Sequence, residues 1–123
     1  MNSRARRFGE LFLSAAGSFQ RPFWQPSVDA YQTAHGWLLK YELAGVAPAD
    51  VEVLLAGHTI TVRGIRRDMR VEENQQSFCM EISYNRFERA LELPCEVNTM
   101  DVATRYQDGM LFVQLRCKEI PSE

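Results

Sequence analysis

Apolar and polar residues alternate with a period of two in several short stretches between residues 26 and 117. Successive side chains of a β-strand point to opposite faces, so this alternation predicts strands with one sheltered face. The clearest stretch is residues 84–94, and Pro94 ends it because proline cannot donate to a strand ladder. Its predicted sheltered face carries Phe87, Arg89, Leu91 and Leu93, and the other face carries Glu88, Ala90 and Glu92.

Six further strands follow from the same alternation, with turn-forming residues between them. Gly36 follows His35, Gly57 precedes His58, and Gly109 follows Asp108, all pairs that favour tight turns. Seven short strands at close spacing predict an all-β fold, an immunoglobulin-like β-sandwich. The predicted strands are 28–32 (an edge strand), 37–43, 51–55, 59–65, 77–93 with a bend near Asn85, 102–106 and 111–115.

Residues 1–25 have a different pattern, so the chain divides into an arm (1–25), a sandwich (26–117) and a short tail (118–123). The apolar residues of the arm fall at helical spacing on one stripe behind three arginines. Three interpretations stay open: a secretory or twin-arginine signal, a helix lying on a membrane surface, and an amphipathic arm that is mobile or packed on a partner. The short stripe and Glu10 within it favour the last.

Size, charge and cysteine content narrow the function classes. The chain has 123 residues, which is enough for one domain with a hydrophobic core. Its formal net charge of −2 does not attract nucleic acid or an anionic membrane. No apolar run approaches the ~18 residues that cross a bilayer. Three cysteines without C-x-x-C spacing indicate reduced thiols and a cytoplasmic protein.

Groups that could perform catalysis do not converge in the sequence. His35 and His58 sit beside glycines in predicted turns and lack companions at metal-ligand spacing. No nucleophile motif and no phosphate-binding glycine loop is present. We therefore expect no enzyme activity, no catalytic or metal site and no cofactor. Arginines at 63, 66, 67 and 70 could touch RNA, but interleaved acids favour a self-neutralising charged loop over residues 66–76.

Arg89 is a charged residue on a predicted apolar face. It places a permanent positive charge between Phe87 and Leu91. A buried cation is costly without a partner, so Arg89 needs a carboxylate or a subunit boundary.

Five segments in order resemble the alpha-crystallin domain of small heat-shock proteins. Residues 87–94 have the pattern aromatic-x-Arg-x-aliphatic-x-Leu-Pro, and the five segments span residues 26–116. Asn85 stands where this family usually has glycine, and the tail KEIPSE has one isoleucine where the family has an Ile-x-Ile or Ile-x-Val motif. The other four segments are 26–31 (PSVDAY), 41–46 (YELAGV), 60–64 (ITVRG) and 106–111 (YQDGML).

The resemblance implies specific interaction residues. Residues 67–74 are the candidate for a segment that swaps onto a partner's edge, with a solvated loop as the alternative. The resemblance also implies a groove that receives a tail motif. The alternative is that the residues assigned to this groove belong to the ordinary hydrophobic core. The implied dimer interface is Met69, Val71, Val28, Ala30 and Arg89 with Glu81 as its acid; the implied groove is Val53, Leu55, Val102 and Thr104; the implied client-binding arm is Phe8, Leu11, Phe12, Phe19, Phe23 and Trp24.

The resemblance also implies a function: an ATP-independent holdase that captures unfolding client proteins and self-associates as a dimer or small oligomer. Two alternatives stay open. One is a subunit that hetero-assembles with other small heat-shock proteins, and the other is an adaptor, like the related CS-domain co-chaperones, that binds one folded partner. Neither nucleic acid nor membrane is an expected partner.

Overall fold

Seven strands form two antiparallel sheets in the computed structural model, which describes residues 23–69 and 72–118. One sheet has the strand order β1-β2-β7-β6 and the other the order β3-β4-β5. The all-β sandwich predicted from the alternation is confirmed. The strands are β1 Val28–Thr33, β2 Gly36–Glu42, β3 Val51–Ala56, β4 Thr59–Arg66, β5 Asn85–Glu92, β6 Asp101–Gln107 and β7 Met110–Arg116, with a 3-10 helix at Pro48–Asp50.

The core lies between the sheets and is built from the alternate residues that the pattern assigned inward. Leu39 of β2 is opposite Val113 of β7, and both are fully buried. Ile60 and Val62 of β4 and Phe87 of β5 bury the facing side of the other sheet. Burial of this kind contributes roughly 25 cal/mol per Å² of apolar surface, so the two inner faces hold the sheets together.

Two backbone features shape the three-stranded sheet, and the first confirms the predicted bend. Asn85 has φ 72°, so the bend expected there exists and uses a residue that tolerates the left-handed region. Gly64 of β4 lies where the strand passes close to the 3-10 helix, because a Cβ at this position would meet the carbonyl oxygen of Asp50 and come within 2.8 Å of the Phe87 ring.

The prediction of a continuous strand over residues 77–93 is wrong for its first half, because strand β5 begins only at Asn85. Strand β4 ends at Arg66, which is the partner of Asn85 in the ladder. Among the described residues, no strand of the same chain therefore pairs with the residues before Asn85, and the left-handed Asn85 turns the chain away. Three apolar side chains of residues 77–84 alternate as in a strand but lie exposed: Phe78, Met80 and Ile82.

Gly64→Ala should lower the free energy of unfolding by about 2 kcal/mol or more, because the added methyl overlaps backbone that cannot move aside. Gly45→Ala is the matched control: Gly45 has φ 79° and open space around it, so only the backbone cost of about 1 kcal/mol is expected. Urea unfolding followed by circular dichroism measures both. Equal losses in the two variants would show that the close approach at Gly64 adds nothing to the cost of a methyl group there.

Candidate interaction site

The root of the arm, residues 23–26, is attached to the free edge of β5. The Trp24 N–H donates to the Arg86 carbonyl at 3.3 Å, and the Glu88 N–H donates to the Trp24 carbonyl at 3.1 Å. This short parallel pairing covers part of an otherwise open sheet edge. The folded unit therefore begins before residue 26.

A cluster that we call the clasp, made of Trp24, Arg66 and Asn85, joins the arm root to both ends of the excursion, residues 67–84. The indole N–H of Trp24 donates to the Asn85 carbonyl at 3.2 Å, and the guanidinium of Arg66 lies 4.3 Å from the centre of the indole ring. Arg66 also donates to the carbonyls of Ala44 at 3.0 Å and Ser83 at 2.9 Å. A cation over an indole face is a favourable contact, so Arg66 holds three chain segments together.

Sequence reasoning missed the clasp. It assigned Phe23 and Trp24 to a client-binding arm, whereas Trp24 packs against the core and its ring lies 5.1 Å from that of Phe87. Two adjacent aromatics just before the first strand were the available signal. The other four residues assigned to client binding, Phe8, Leu11, Phe12 and Phe19, lie outside the described residues, as does Val71.

Arg89 lies on the inner side of β5, as predicted, and is half-buried. Its guanidinium donates a hydrogen bond to the Pro26 carbonyl at 3.0 Å, just before β1, a place that we call the sandwich entrance. The charged group therefore has a backbone partner within its own chain. Its expected partner Glu81 is exposed on the excursion, where Oε2 accepts a hydrogen bond from Sγ of Cys79 at 3.5 Å. Pairing of Arg89 with an acid across a subunit boundary stays a prediction.

Tyr41 of β2 is fully buried, and its hydroxyl has no hydrogen-bond partner among the described residues. Burial raises the pKa of the phenol well above its usual value, and the positive charge of Arg89 offsets part of that rise. Tyr41 is therefore neutral in the folded protein across the physiological pH range.

The arginines around the start of the excursion make contacts within the chain. Arg63 Nε donates to Glu52 Oε1 at 2.8 Å, and Arg67 meets both carboxylate oxygens of Asp50 at 3.0 and 3.1 Å. The hydrogen bond from Arg67 lowers the pKa of Asp50, whereas burial raises the pKa of Glu88 against the opposing effect of Arg63. Because Arg67 is bound to its own 3-10 helix, the start of the excursion is anchored in its own chain.

Strand β1 is one of the two edges of the four-stranded sheet, and β6 is the other. Strand β1 pairs with β2 on one side only, and five of its six residues are exposed. Val28 is half-buried against the core and Ala30 is exposed, so the edge proposed for a partner is accessible. Met69 is exposed at the beginning of the excursion.

The four residues predicted to line a groove lie on two edge strands, β3 and β6. Val53 is opposite Val62, and Leu55 is opposite Ile60, so both side chains share the inner face of their sheet. On β6, Val102 is opposite the buried Leu115, which places it on the inner face of the other sheet. Val102 is 42% exposed and Thr104 is exposed, so these two positions on β6 are open to solvent, and the groove between the two edges stays a prediction.

Comparison with known proteins identifies the family. The sequence model of the Hsp20/alpha crystallin family matches residues 29–123. The chain belongs to the Hsp20/alpha crystallin family. Small heat shock protein C2 of Rickettsia felis is 28% identical over 91% of this chain and 73% of its own length. Spore protein SP21 of Stigmatella aurantiaca is 31% identical over 76% of this chain and 56% of its own length.

A solved structure supports the same assignment. HSP18.5 from E. histolytica superposes with a TM-score of 0.64 and 26% identity, covering 76% of this chain and 88% of that one. The family consists of small heat shock chaperones, which are not enzymes. Within residues 23–69 and 72–118, no three histidine, cysteine, aspartate or glutamate side chains group as metal ligands, and no helix is long and apolar enough to cross a membrane.

Tyr41→Phe should raise the free energy of unfolding at pH 7 by about 1 kcal/mol, because it removes a buried hydroxyl that lacks a partner. The raised pKa has a further consequence: unfolded tyrosine ionises above pH ~10 while folded Tyr41 stays neutral, so wild-type stability falls as pH rises past that value. The variant should lose less stability than wild type over this range. Urea unfolding at pH 7 and pH 10.5 or above measures both effects.

Tyr106→Phe is the control for this substitution. The Tyr106 hydroxyl donates to the Leu43 carbonyl at 2.8 Å, so its removal should cost about 1 kcal/mol instead. A destabilised Tyr41→Phe protein would mean that the Tyr41 hydroxyl does have a partner.

Proposed function

We propose that this member of the Hsp20/alpha crystallin family is an ATP-independent holdase that captures unfolding proteins and assembles as a dimer or small oligomer. The observation that carries the proposal is the apolar row on the excursion, where Phe78 is 101% exposed and Met80 and Ile82 are each 64% exposed. A row of apolar side chains that is exposed to water in one chain is typical of a surface that binds other chains.

The row has the residue pattern of a strand, although it has no neighbouring strand among the described residues. Its apolar side chains recur every second residue, and a strand of that pattern buries one face when it joins a sheet. The β1 edge of a second copy offers unpaired backbone groups together with Val28 and Ala30. We therefore propose that residues 77–83 add to the β1 edge of a partner subunit.

The contact position differs from the initial expectation of residues 67–74. Arg67 at the start of that segment is bound to Asp50 of its own chain. Residues 77–83 carry three exposed apolar side chains, and they leave the sandwich directly beside Asn85 at the entrance to β5. Met69 and Val71 remain secondary contacts in this proposal, and Arg89 with Glu81 remains the proposed charged pair at the boundary.

Client capture is assigned to residues 8–22 of the arm. Trp24 is held in the clasp and packs on the core, so it anchors the arm rather than contacting clients. Exposed apolar side chains of unfolding proteins would bind the arm before they meet one another, which slows aggregation without nucleotide or catalysis.

Hetero-assembly is the second candidate. Val102 on the edge of the proposed groove is 42% exposed, so it is available to an aliphatic tail motif. Ile120 of this chain does not belong to such a motif, because Ser122 stands at the position of the second aliphatic residue. Under this proposal the groove accepts the tail of another family member. The free thiols Cys79, Cys95 and Cys117 fit a reducing, cytoplasmic setting.

Phe78→Asp should shift the protein from dimer to monomer, because a carboxylate would replace an apolar side chain that is buried only in the assembly. Gln76→Asp adds the same charge to the same segment at an exposed polar position and should leave the dimer intact. Sedimentation velocity across a concentration series measures the change, which we expect to be a rise of at least tenfold in dissociation constant. Equal behaviour of the two variants would remove residues 77–83 from the interface.

The holdase activity is tested by light scattering of a heat- or reductant-unfolded model substrate without nucleotide. The intact protein should suppress scattering at near-equimolar ratio, and a protein lacking residues 1–22 should lose most of this effect while keeping its fold and its dimer. The truncation retains Trp24 so that the clasp is preserved. If the intact protein fails to suppress scattering but binds the tail peptide of another family member, hetero-assembly replaces the holdase proposal.

A further inference from the structure

The open end of the sandwich near His35 holds two thiols that no interaction described so far uses. Cys95 and Cys117 line the same cavity of ≈ 530 Å³, together with Trp37 and Met100. The two cysteines belong to different parts of the fold: Cys117 follows β7 of the four-stranded sheet, and Cys95 follows β5 of the three-stranded sheet. Neither thiol is in a disulfide.

The backbone aims Cys117 inward. Its N–H donates to the His35 carbonyl at 2.9 Å, which continues the β2–β7 ladder one residue beyond the pair Gly36 and Arg116. Since side chains alternate along a strand, Cys117 shares the inner face with the fully buried Leu115. Cys117 itself is exposed because the core ends at this position.

Cys95 approaches the same cavity from the opposite side. The Leu93 N–H donates to the His58 carbonyl at 2.8 Å, and the Val97 N–H donates to the Gly57 carbonyl at 2.7 Å. Cys95 lies between these two anchored residues, is partly buried and packs against the core. The chain then crosses to the other sheet, where Asp101 pairs with Arg116 directly before Cys117.

Packed sheets lie about 10 Å apart, which is too far for a disulfide between two facing strands that keep full separation. Cys95 is not on a strand but on the connection that crosses from one sheet to the other. The spacing between the sheets therefore does not set its distance from Cys117, and both thiols line one cavity.

We propose that Cys95 and Cys117 are a peroxide-reactive thiol pair that forms a reversible disulfide within one chain. The exposed Cys117 thiolate attacks hydrogen peroxide: an S–O bond forms, the O–O bond breaks, and the leaving hydroxide takes up a proton to become water. The Cys95 thiol then loses its proton and attacks the sulfenic sulfur: an S–S bond forms, the S–O bond breaks, and the leaving hydroxide takes up that proton to become a second water. Two thiols and one peroxide thus yield one disulfide and two waters.

The disulfide would tie the end of β7, from which the tail departs, to the connection that leads into β6. It would therefore restrict the exit of the tail at one end of the groove between β3 and β6. This inference rests on the position of the two thiols and does not depend on the proposed holdase function.

The test uses the full-length Cys79→Ser protein, which removes the third thiol, after circular dichroism confirms an unchanged fold. Treatment with one equivalent of hydrogen peroxide should reduce the thiols titrated in denaturant from two per chain to none. The intact mass should fall by two hydrogens, the chain should stay monomeric on non-reducing electrophoresis, and proteolysis should yield a linked Cys95–Cys117 peptide that dithiothreitol releases. Added Cys95→Ser should instead leave a sulfenic acid on Cys117 that dimedone traps.

The same oxidation in urea separates a site built by the fold from random pairing. We expect disulfide formation to be at least tenfold slower in urea, because unfolding disperses the two thiols. The proposal is overturned if pairing is as fast in urea as in the folded protein, if Cys117 proceeds to sulfinic acid while Cys95 stays a free thiol, or if the disulfides join different chains.

Discussion

The arrangement of the surfaces depends on the contacts of one side chain, Arg66. Its guanidinium lies against the Trp24 ring and donates hydrogen bonds to the carbonyls of Ala44 and Ser83. Arg66 is the last residue of the central strand of its sheet, so it stands where the β4–β5 ladder opens. The carbonyl of Ala44 belongs to the loop after β2 in the other sheet. One side chain thereby connects both sheets, the arm root and the return of the excursion.

This position of Arg66 has consequences on both sides of the ladder. On the arm side, Trp24 is held beside β5, so residues 23–26 cover the edge that would otherwise invite another strand. On the excursion side, residues 77–84 leave the sandwich without a strand to pair with, and their apolar side chains stay in water. The chain therefore covers part of the β5 edge by itself, whereas the β1 edge and the row on residues 77–84 stay exposed, the two surfaces that we propose for association.

Charge is handled differently at the surface and at the sandwich entrance. At the surface, Arg63 and Arg67 meet carboxylates of neighbouring segments, and solvent screening keeps the contribution of such exposed pairs small. At the entrance, Arg89 has a backbone carbonyl as its partner, and the neighbouring Tyr41 hydroxyl is buried with no partner in the part of the chain that the structure describes. The entrance thus combines a half-buried cation with an unsatisfied polar group, a local cost that the surrounding apolar core offsets.

Local sequence was sufficient to locate seven strands, although not the start of β5. Period-two alternation depends only on local geometry and hydrophobicity, so Phe87 and Leu93 could be assigned inward without any coordinates, and Asn85 could be identified as a bend. Arg89 also stood out, because a permanent charge in an apolar row is visible in one strand alone. The family resemblance came from the same short segments.

The tertiary structure alone decided which segments have neighbours. Residues 77–84 have a strand pattern but are not a strand, because β4 ends at Arg66 and backbone pairing needs a second chain segment alongside. Trp24 looks like any exposed aromatic in the sequence, yet a cation from the far end of β4 fixes it against β5. The meeting of Cys95 and Cys117 is decided in the same way, since residues 22 positions apart reach one cavity only after the two sheets have packed.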